Sequence, residues 1–209
     1  ILLAGLAFLM AKKHFHVYKK LSSSQIILLL FLTAIIMGVP IILLTNILPK
    51  DDFYFYYRAA TELIENADSL PNFVTQYVAT FPHVLIFPVM LSTLFRVFGS
   101  SVVVAQIFGL LLSSLSVVLV YSIGQQALGK QYGFWAAVLW LMMPSRIFYA
   151  TLICTENPFN ALGLFSVWCF LQAAKRSPNL VGMILFGFTG ISFSVLSFIR
   201  PISLIILIA

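Results

Sequence analysis

From Val102 to Leu128 the chain carries no charged side chain, and the same holds from Gln25 to Leu48 and from Leu180 to Ile199. A bilayer core is crossed by about 20 consecutive apolar residues of helix. Inside it every backbone amide must bond within the protein, which leaves only helices or a closed barrel. The weak two-residue alternation of a transmembrane barrel is absent. The expected fold is therefore all-α, a polytopic transmembrane helical bundle.

Composition agrees. The 209 residues are 61% hydrophobic and 9% charged, against roughly 25% charged in soluble domains, and the mean hydropathy is +1.05. The net charge of +6 does not indicate nucleic acid, because the basic residues lie in short stretches between apolar segments, where membrane topology accounts for them. Cys154 and Cys169 sit in apolar surroundings and suggest neither a disulfide framework nor a zinc site.

Spans are expected at about 25–48, 102–128, 132–153, 158–174 and 180–199. Because the chain begins without Met and ends in the apolar run from Ile202, it is read as the N-terminal part of one transmembrane domain, truncated at both ends. The first ten residues lack a basic leader region and a cleavage site, and are read as the end of a helix rather than a signal peptide.

The apolar segment 84–98 decides the topology. If it crosses, Lys175 and Arg176 share a side with the acids and Glu156 changes face. If it lies in the interface, Lys12, Lys13, Lys19, Lys20, Lys130, Lys175 and Arg176 share one face without an acid. All six acids then share the other. The positive-inside rule favours the second arrangement, as do the shortness of the segment, Pro88 and Arg96. The stretch 49–101 is thus expected to be one outer loop with interfacial helices.

That loop opens with Asp51-Asp52-Phe53-Tyr54-Phe55-Tyr56-Tyr57-Arg58. One aspartate at a helix start serves as a cap and complements the helix dipole. Two, followed by an aromatic run, ask for more. On a helix Asp52 and Tyr56 stack, and Arg58 pairs with Glu62. Glu156 reads either as a dipole-favoured acid with Thr155 as cap or as a functional group at a membrane edge. Arg146 and Arg200 read as snorkelling cations or as anion ligands, and His83 reads first as structural.

These motifs together resemble the GT-C superfamily of polyprenyl-phosphate-sugar-dependent membrane glycosyltransferases, such as protein mannosyltransferases and aminoarabinose transferases (glycosyltransferase family 39-like). The Asp52–Ala59 run is similar to their first-loop signature. Phe81-Pro82-His83-Val84 leading to Gly99 resembles the proline-led amphipathic helix of that loop. Pro144-Ser145-Arg146, Thr155-Glu156 and Arg200-Pro201 resemble later motifs in order. Two departures stand out: Asn157 separates the second acid from Pro158, and the doubled aspartate leaves the catalytic position between Asp52 and Asp51.

The resemblance implies a sugar moved from an isoprenoid-phosphate donor to a hydroxyl of a glycan, lipid or protein, with inversion, by a hexosyl- or mannosyltransferase-like enzyme whose fragment is inactive alone. Asp52 would be the general base, chosen over Asp51 because the family's tyrosine lies four residues on, at Tyr56. Glu156 would assist catalysis, and Tyr56, Arg58, His83, Arg146 and Arg200 would bind substrate. The family leaves a divalent ion open, with Asp52 and Glu156 as its ligands if one is used. The implied setting is a bacterial cytoplasmic membrane with the site facing out, among membrane lipids and without nucleic acid. The contrasting readings are a transporter or flippase of a lipid-linked substrate, which would place polar groups on broken helices at mid-bilayer, and a non-catalytic assembly subunit.

Overall fold

The computed structural model describes residues 20–45, 48–65, 72–176 and 179–201. Lys12, Lys13, Lys19, Asp68 and the run from Ile202 lie outside them. Among the described residues every regular element is a helix. Helix α1 spans Ser23–Thr45 and starts with a reciprocal capping box. The Gln25 amide donates to Ser22 Oγ at 3.2 Å, and the Ser22 amide donates to Gln25 Oε1 at 2.8 Å, so two donors at the helix start are satisfied together.

Four shorter elements follow: α2 (Asp51–Glu65), α3 (Asn72–Thr80), a 3₁₀ turn (Pro82–Leu85) and α4 (Ile86–Phe98). Helix α5 (Val102–Leu128) ends at Gly129, whose φ of 99° is a conformation glycine adopts without strain. Beyond it come α6 (Lys130–Leu141), α7 (Pro144–Tyr149), α8 (Glu156–Ala174) and α9 (Leu180–Ile199). Helices α1, α5 and α9 are long and apolar enough to cross a membrane. The chain is a membrane protein.

Helix α5 is the centre of the bundle, packed against α1, α6 and α8, while α9 packs on α8. Its pairing with α1 is antiparallel. Ile26 and Leu30 meet Val117 and Tyr121 in one apolar cluster, and Ile42 meets Leu110 in another. Gln125 Nε2 donates to Ser23 Oγ at 2.8 Å, fixing the end of α5 beside the start of α1. Residues 48–101 therefore leave and rejoin the bundle at the same end. Within them α4 lies on α2. Phe87, Leu91 and Phe95, spaced one turn apart, bury one face against Ala60, Ala105 and Ile153, while Val97 and Phe98 are exposed. Burial on α4 is thus one-sided.

The opposite end carries Lys20, Lys130 and Lys175. Lys130 Nζ donates to the Leu21 carbonyl, and Lys175 Nζ donates to Gln126 O at 2.9 Å, in the last turn of α5. A cation there complements the negative end of the helix dipole.

The segment 132–153 is not one continuous helix. The ring of Pro144 cannot continue an interior helical turn, so α6 stops at Leu141 and the short α7 restarts after Met142-Met143. Helix α8 begins at Glu156, two residues before the expected boundary. It has spanning length but places Glu156, Asn157 and Asn160 in its first turns. The α5–α6 hairpin closes by backbone contact: a Cβ on Gly133 would lie 2.5 Å from Gln125 N and 2.6 Å from Tyr121 O. Small residues at such crossings let helices approach closely in a membrane.

Candidate active site

At the start of α2, Lys50 O accepts from the amides of Phe53 (3.1 Å) and Tyr54 (3.3 Å). The backbone thus meets the donors that an aspartate cap would have met, and the Asp52 side chain is free for another partner. Its Oδ1 accepts from the Tyr77 hydroxyl at 3.0 Å. Asp51 has φ of 51°, in the left-handed region where aspartate is several-fold enriched among non-glycine residues.

Tyr77 comes from α3. Its ring is held between Phe55, at a centroid distance of 4.3 Å, and Phe81, at 5.4 Å. Burial, together with its bond to Asp52 and that carboxylate's charge, holds the Tyr77 phenol above its ordinary pKa. It stays a neutral donor to Asp52 at physiological pH.

One turn along α2, Tyr56 packs edge-on against Phe87 at 5.3 Å. Its hydroxyl interacts with Thr155 and lies in the fields of Asp52, Arg200 and Glu156. Burial is the largest influence and raises the phenol's pKa. The Thr155 bond and Arg200 oppose the rise, while Asp52 and Glu156 add to it.

Thr155 does not cap α8 through its side chain. Its Oγ1 accepts from Arg200 Nε at 2.9 Å, while Arg200 Nη2 pairs with Glu156 Oε1. The first turn of α8 and the end of α9 are therefore joined by a forked guanidinium, the geometry that suits oxyanions. Four residues singled out from sequence, Asp52, Tyr56, Glu156 and Arg200, thus meet at one end of the bundle. Tyr77 and Thr155 join them. Tyr77 carried no signal of its own in the sequence, and Thr155 was read as a cap and as the neighbour of Glu156 in a motif, with no role of its own.

Other candidates lie apart. Arg58 pairs with the buried carboxylate of Glu62 on the same helix. His83 is half-buried in the 3₁₀ turn, its ring 6.4 Å from that of Phe81. Arg146 is only 8% exposed. Its Nη1 donates to Ser113 Oγ at 3.0 Å and its Nε to Leu141 O at 3.3 Å, a carbonyl released by the break at Pro144. It lines a cavity of about 220 Å³ with Ser113, Ser116, Trp140, Glu156 and Asn157. Ser113 lies about 16 Å along α5 from Val102 at 1.5 Å per residue, so the cavity reaches well into the bundle. Asn157 Nδ2 donates to Tyr149 O at 2.7 Å and ties α7 to α8.

Asp52 and Glu156 are each committed to a partner, Tyr77 and Arg200. Among the described residues no group of three or more His, Cys, Asp or Glu side chains gathers as a metal site. The donor set does not make a built cation site.

The family model for dolichyl-phosphate-mannose-protein mannosyltransferases matches residues 82–209. No curated protein and no solved structure matches the chain. The matched stretch takes in α4 to α9 with Arg146, Thr155, Glu156 and Arg200, and Tyr56, from outside it, meets Thr155 beside Glu156 and Arg200. With well over half of its length matched, the chain belongs to the dolichyl-phosphate-mannose-protein mannosyltransferase family, membrane glycosyltransferases of the GT-C type.

Proposed function

We propose that the chain carries the catalytic corner of an enzyme that moves a sugar from an isoprenoid phosphate to a hydroxyl acceptor, with Asp52 as the general base. The observation that carries this reading is the convergence of Asp52, Tyr56, Thr155, Glu156 and Arg200 from three distant segments at one end of the bundle. Asp52 takes the acceptor's proton as its oxygen attacks the anomeric carbon. The bond from that carbon to the phosphate oxygen breaks, and its electron pair leaves with the lipid phosphate. Attack opposite the leaving group inverts the anomeric centre.

Asp52 is exposed and hydrogen-bonded by a neutral phenol, so it is accessible and oriented. Arg200 is the cation placed to meet developing phosphate charge, and Glu156 holds its fork in position. Lys20, Lys130 and Lys175 at the opposite end support a cytoplasmic location for that end, and with it a catalytic corner facing out. A bacterial cytoplasmic membrane fits this arrangement, with a glycan, lipid or protein as acceptor.

The test is transfer by the complete protein, reconstituted in lipid with a polyprenyl-phosphate sugar. Asp52→Asn should lower the rate by roughly 10²–10⁴-fold, the usual contribution of a positioned base. An unchanged rate removes Asp52 from that role.

A further inference from the structure

Helix α3 and the turn after it carry no Lys, Arg, Asp or Glu from Asn72 to Leu85. The transfer step proposed above uses nothing of them beyond the Tyr77 hydroxyl, yet they set a row of rings beside the proposed base. Pro82 is the cause. A proline keeps the residue before it out of the helical region, so α3 stops at Thr80 and Phe81 takes φ of −130° and ψ of 74°. The Phe81 amide still donates to Tyr77 O at 2.9 Å, and Phe81 O accepts from the Val84 amide at 3.1 Å. The Phe81 ring thus stays one turn from Tyr77, with 5.4 Å between centroids, and the His83 ring stands nearly perpendicular to it at 6.4 Å. Tyr77 in turn donates to Asp52 Oδ1 at 3.0 Å. Carboxylate, phenol, phenyl and imidazole form one continuous row.

Phe81 is 45% exposed, and the surface around it is polar. Asn72, Thr75, Gln76 and Thr80 on α3 are exposed, and so is Asp52. A carboxylate is not left facing hydrocarbon, so this end of the row faces water. A phenyl ring held there forgoes about 1.5–3 kcal/mol of full burial and offers a flat, weakly negative face. Single exposed apolar side chains are ordinary, but this one continues the ring that holds the proposed base. The surface fits a ligand with a flat apolar face, a polar edge and a hydroxyl to offer Asp52. A pyranose has all three, with C–H groups on its faces and hydroxyls around its rim. A peptide serine or threonine brings the hydroxyl without the flat face. An anionic group would meet Asp52 with no cation on α3 or its turn to offset the repulsion.

We propose that Phe81 and Tyr77 form the acceptor platform, and that the acceptor is a neutral saccharide. One pyranose lies with a C–H face on the Phe81 ring and turns a rim hydroxyl to the Asp52 oxygen that Tyr77 does not hold. The proposal rests on Asp52 as the base and narrows the acceptor to a glycan. Because the Phe81 ring already packs on Tyr77, little is left to be ordered on binding.

The complete protein in lipid nanodiscs is studied by saturation-transfer NMR, irradiating aromatic protons, with methyl α-mannoside, maltose and cellobiose. Mannitol, which has the hydroxyls without the ring, and acetyl-Ala-Thr-Ala-amide serve as contrasts. At least one saccharide should receive saturation on the C–H protons of one ring face, and neither contrast should. Phe81→Leu keeps the apolar bulk and loses the flat face, and should weaken that binding about three- to tenfold, as for an aromatic contact beyond its area. Phe81→Trp should retain the affinity, and its indole emission should change when saccharide is added. This variant localises the contact if Phe81→Leu fails to fold. Phe98→Leu, an exposed phenylalanine at the end of α4, should change nothing. No saccharide contact, equal contact with mannitol, binding of the peptide instead, or a Phe81→Trp emission indifferent to saccharide overturns the proposal. So does a Phe81→Leu affinity equal to the parent's, which would mark a lipid-facing side chain. Asp52→Asn should lose transfer and keep the saccharide contact, so failure of the base and failure of the platform are read separately.

Discussion

Arg200 Nε donates to Thr155 Oγ1 at 2.9 Å, across 45 residues of sequence. The bond, with the Glu156 pair beside it, makes the position of α9 a condition of the site. Arg200→Lys keeps the charge and loses the fork, and should lower transfer by about tenfold. Arg200→Met, which loses both, should lower it by about 100-fold or more. Both are read from initial rates in reconstituted lipid. The pair is partly exposed, so its share of stability is small, and neither variant should shift the melting temperature appreciably.

With Asp52 as the proposed base, Tyr77 is a positioning residue that acts through it. Tyr77→Phe keeps the ring between Phe55 and Phe81 and removes only the hydroxyl bonded to Oδ1. Transfer should fall about three- to tenfold, within what one hydrogen bond to a charged group contributes. Thermal unfolding should be unaltered. A loss confined to stability would make Tyr77 a packing residue.

The two aspartates separate by backbone. Asp51 sits at φ 51°, a conformation asparagine also tolerates. Asp51→Asn should therefore leave both fold and transfer rate within about twofold of the parent, in contrast to the loss expected at Asp52. Parallel rate measurements on the two asparagine variants decide between the positions.

Gly133 has no room for a side chain. The atoms a Cβ would strike are backbone of α5, at 2.5 and 2.6 Å, and cannot rotate aside. Gly133→Val should destabilise by about 1–3 kcal/mol or more, the range for overpacking. The measure is the thermal midpoint in detergent.

Topology is tested by labelling. In a background with Cys154 and Cys169 replaced by serine, Ser100→Cys should react with an impermeant thiol reagent in intact cells. Arg176→Cys should react only after permeabilisation. The reverse pattern would turn the protein over in the membrane.

Much of this was legible in residues. Uncharged runs announce helices in lipid because nothing else can satisfy their backbone there, and α1, α5 and α9 follow from that. The candidate residues Asp52, Glu156 and Arg200 were legible because charge is scarce in so apolar a chain, and Tyr56 through its spacing of four from Asp52. Three features were not. The break at Pro144 sits inside a run whose composition is that of a continuous span, and hydropathy averages over it. The role of Thr155 is set by Arg200 arriving from another helix, which no local cap rule records. Tyr77 reaches Asp52 because α3 folds back on α2, and one more tyrosine near an interface is unremarkable by itself.

The glycine contact between α5 and α6 bears on how the chain enters a membrane. At 1.5 Å per residue, α6 is about 18 Å long against a core of about 30 Å. The break before Pro144 and the charge of Arg146 near the end of the segment add to that shortfall. The segment from Lys130 to Tyr149 is thus a poor passenger alone. Joined backbone to backbone with α5 at Gly124 and Gly133, it can be delivered as half of a hairpin whose other half supplies the greasiness. On this account, substitutions that fill the crossing would be felt first during biogenesis, as protein that is made and not retained.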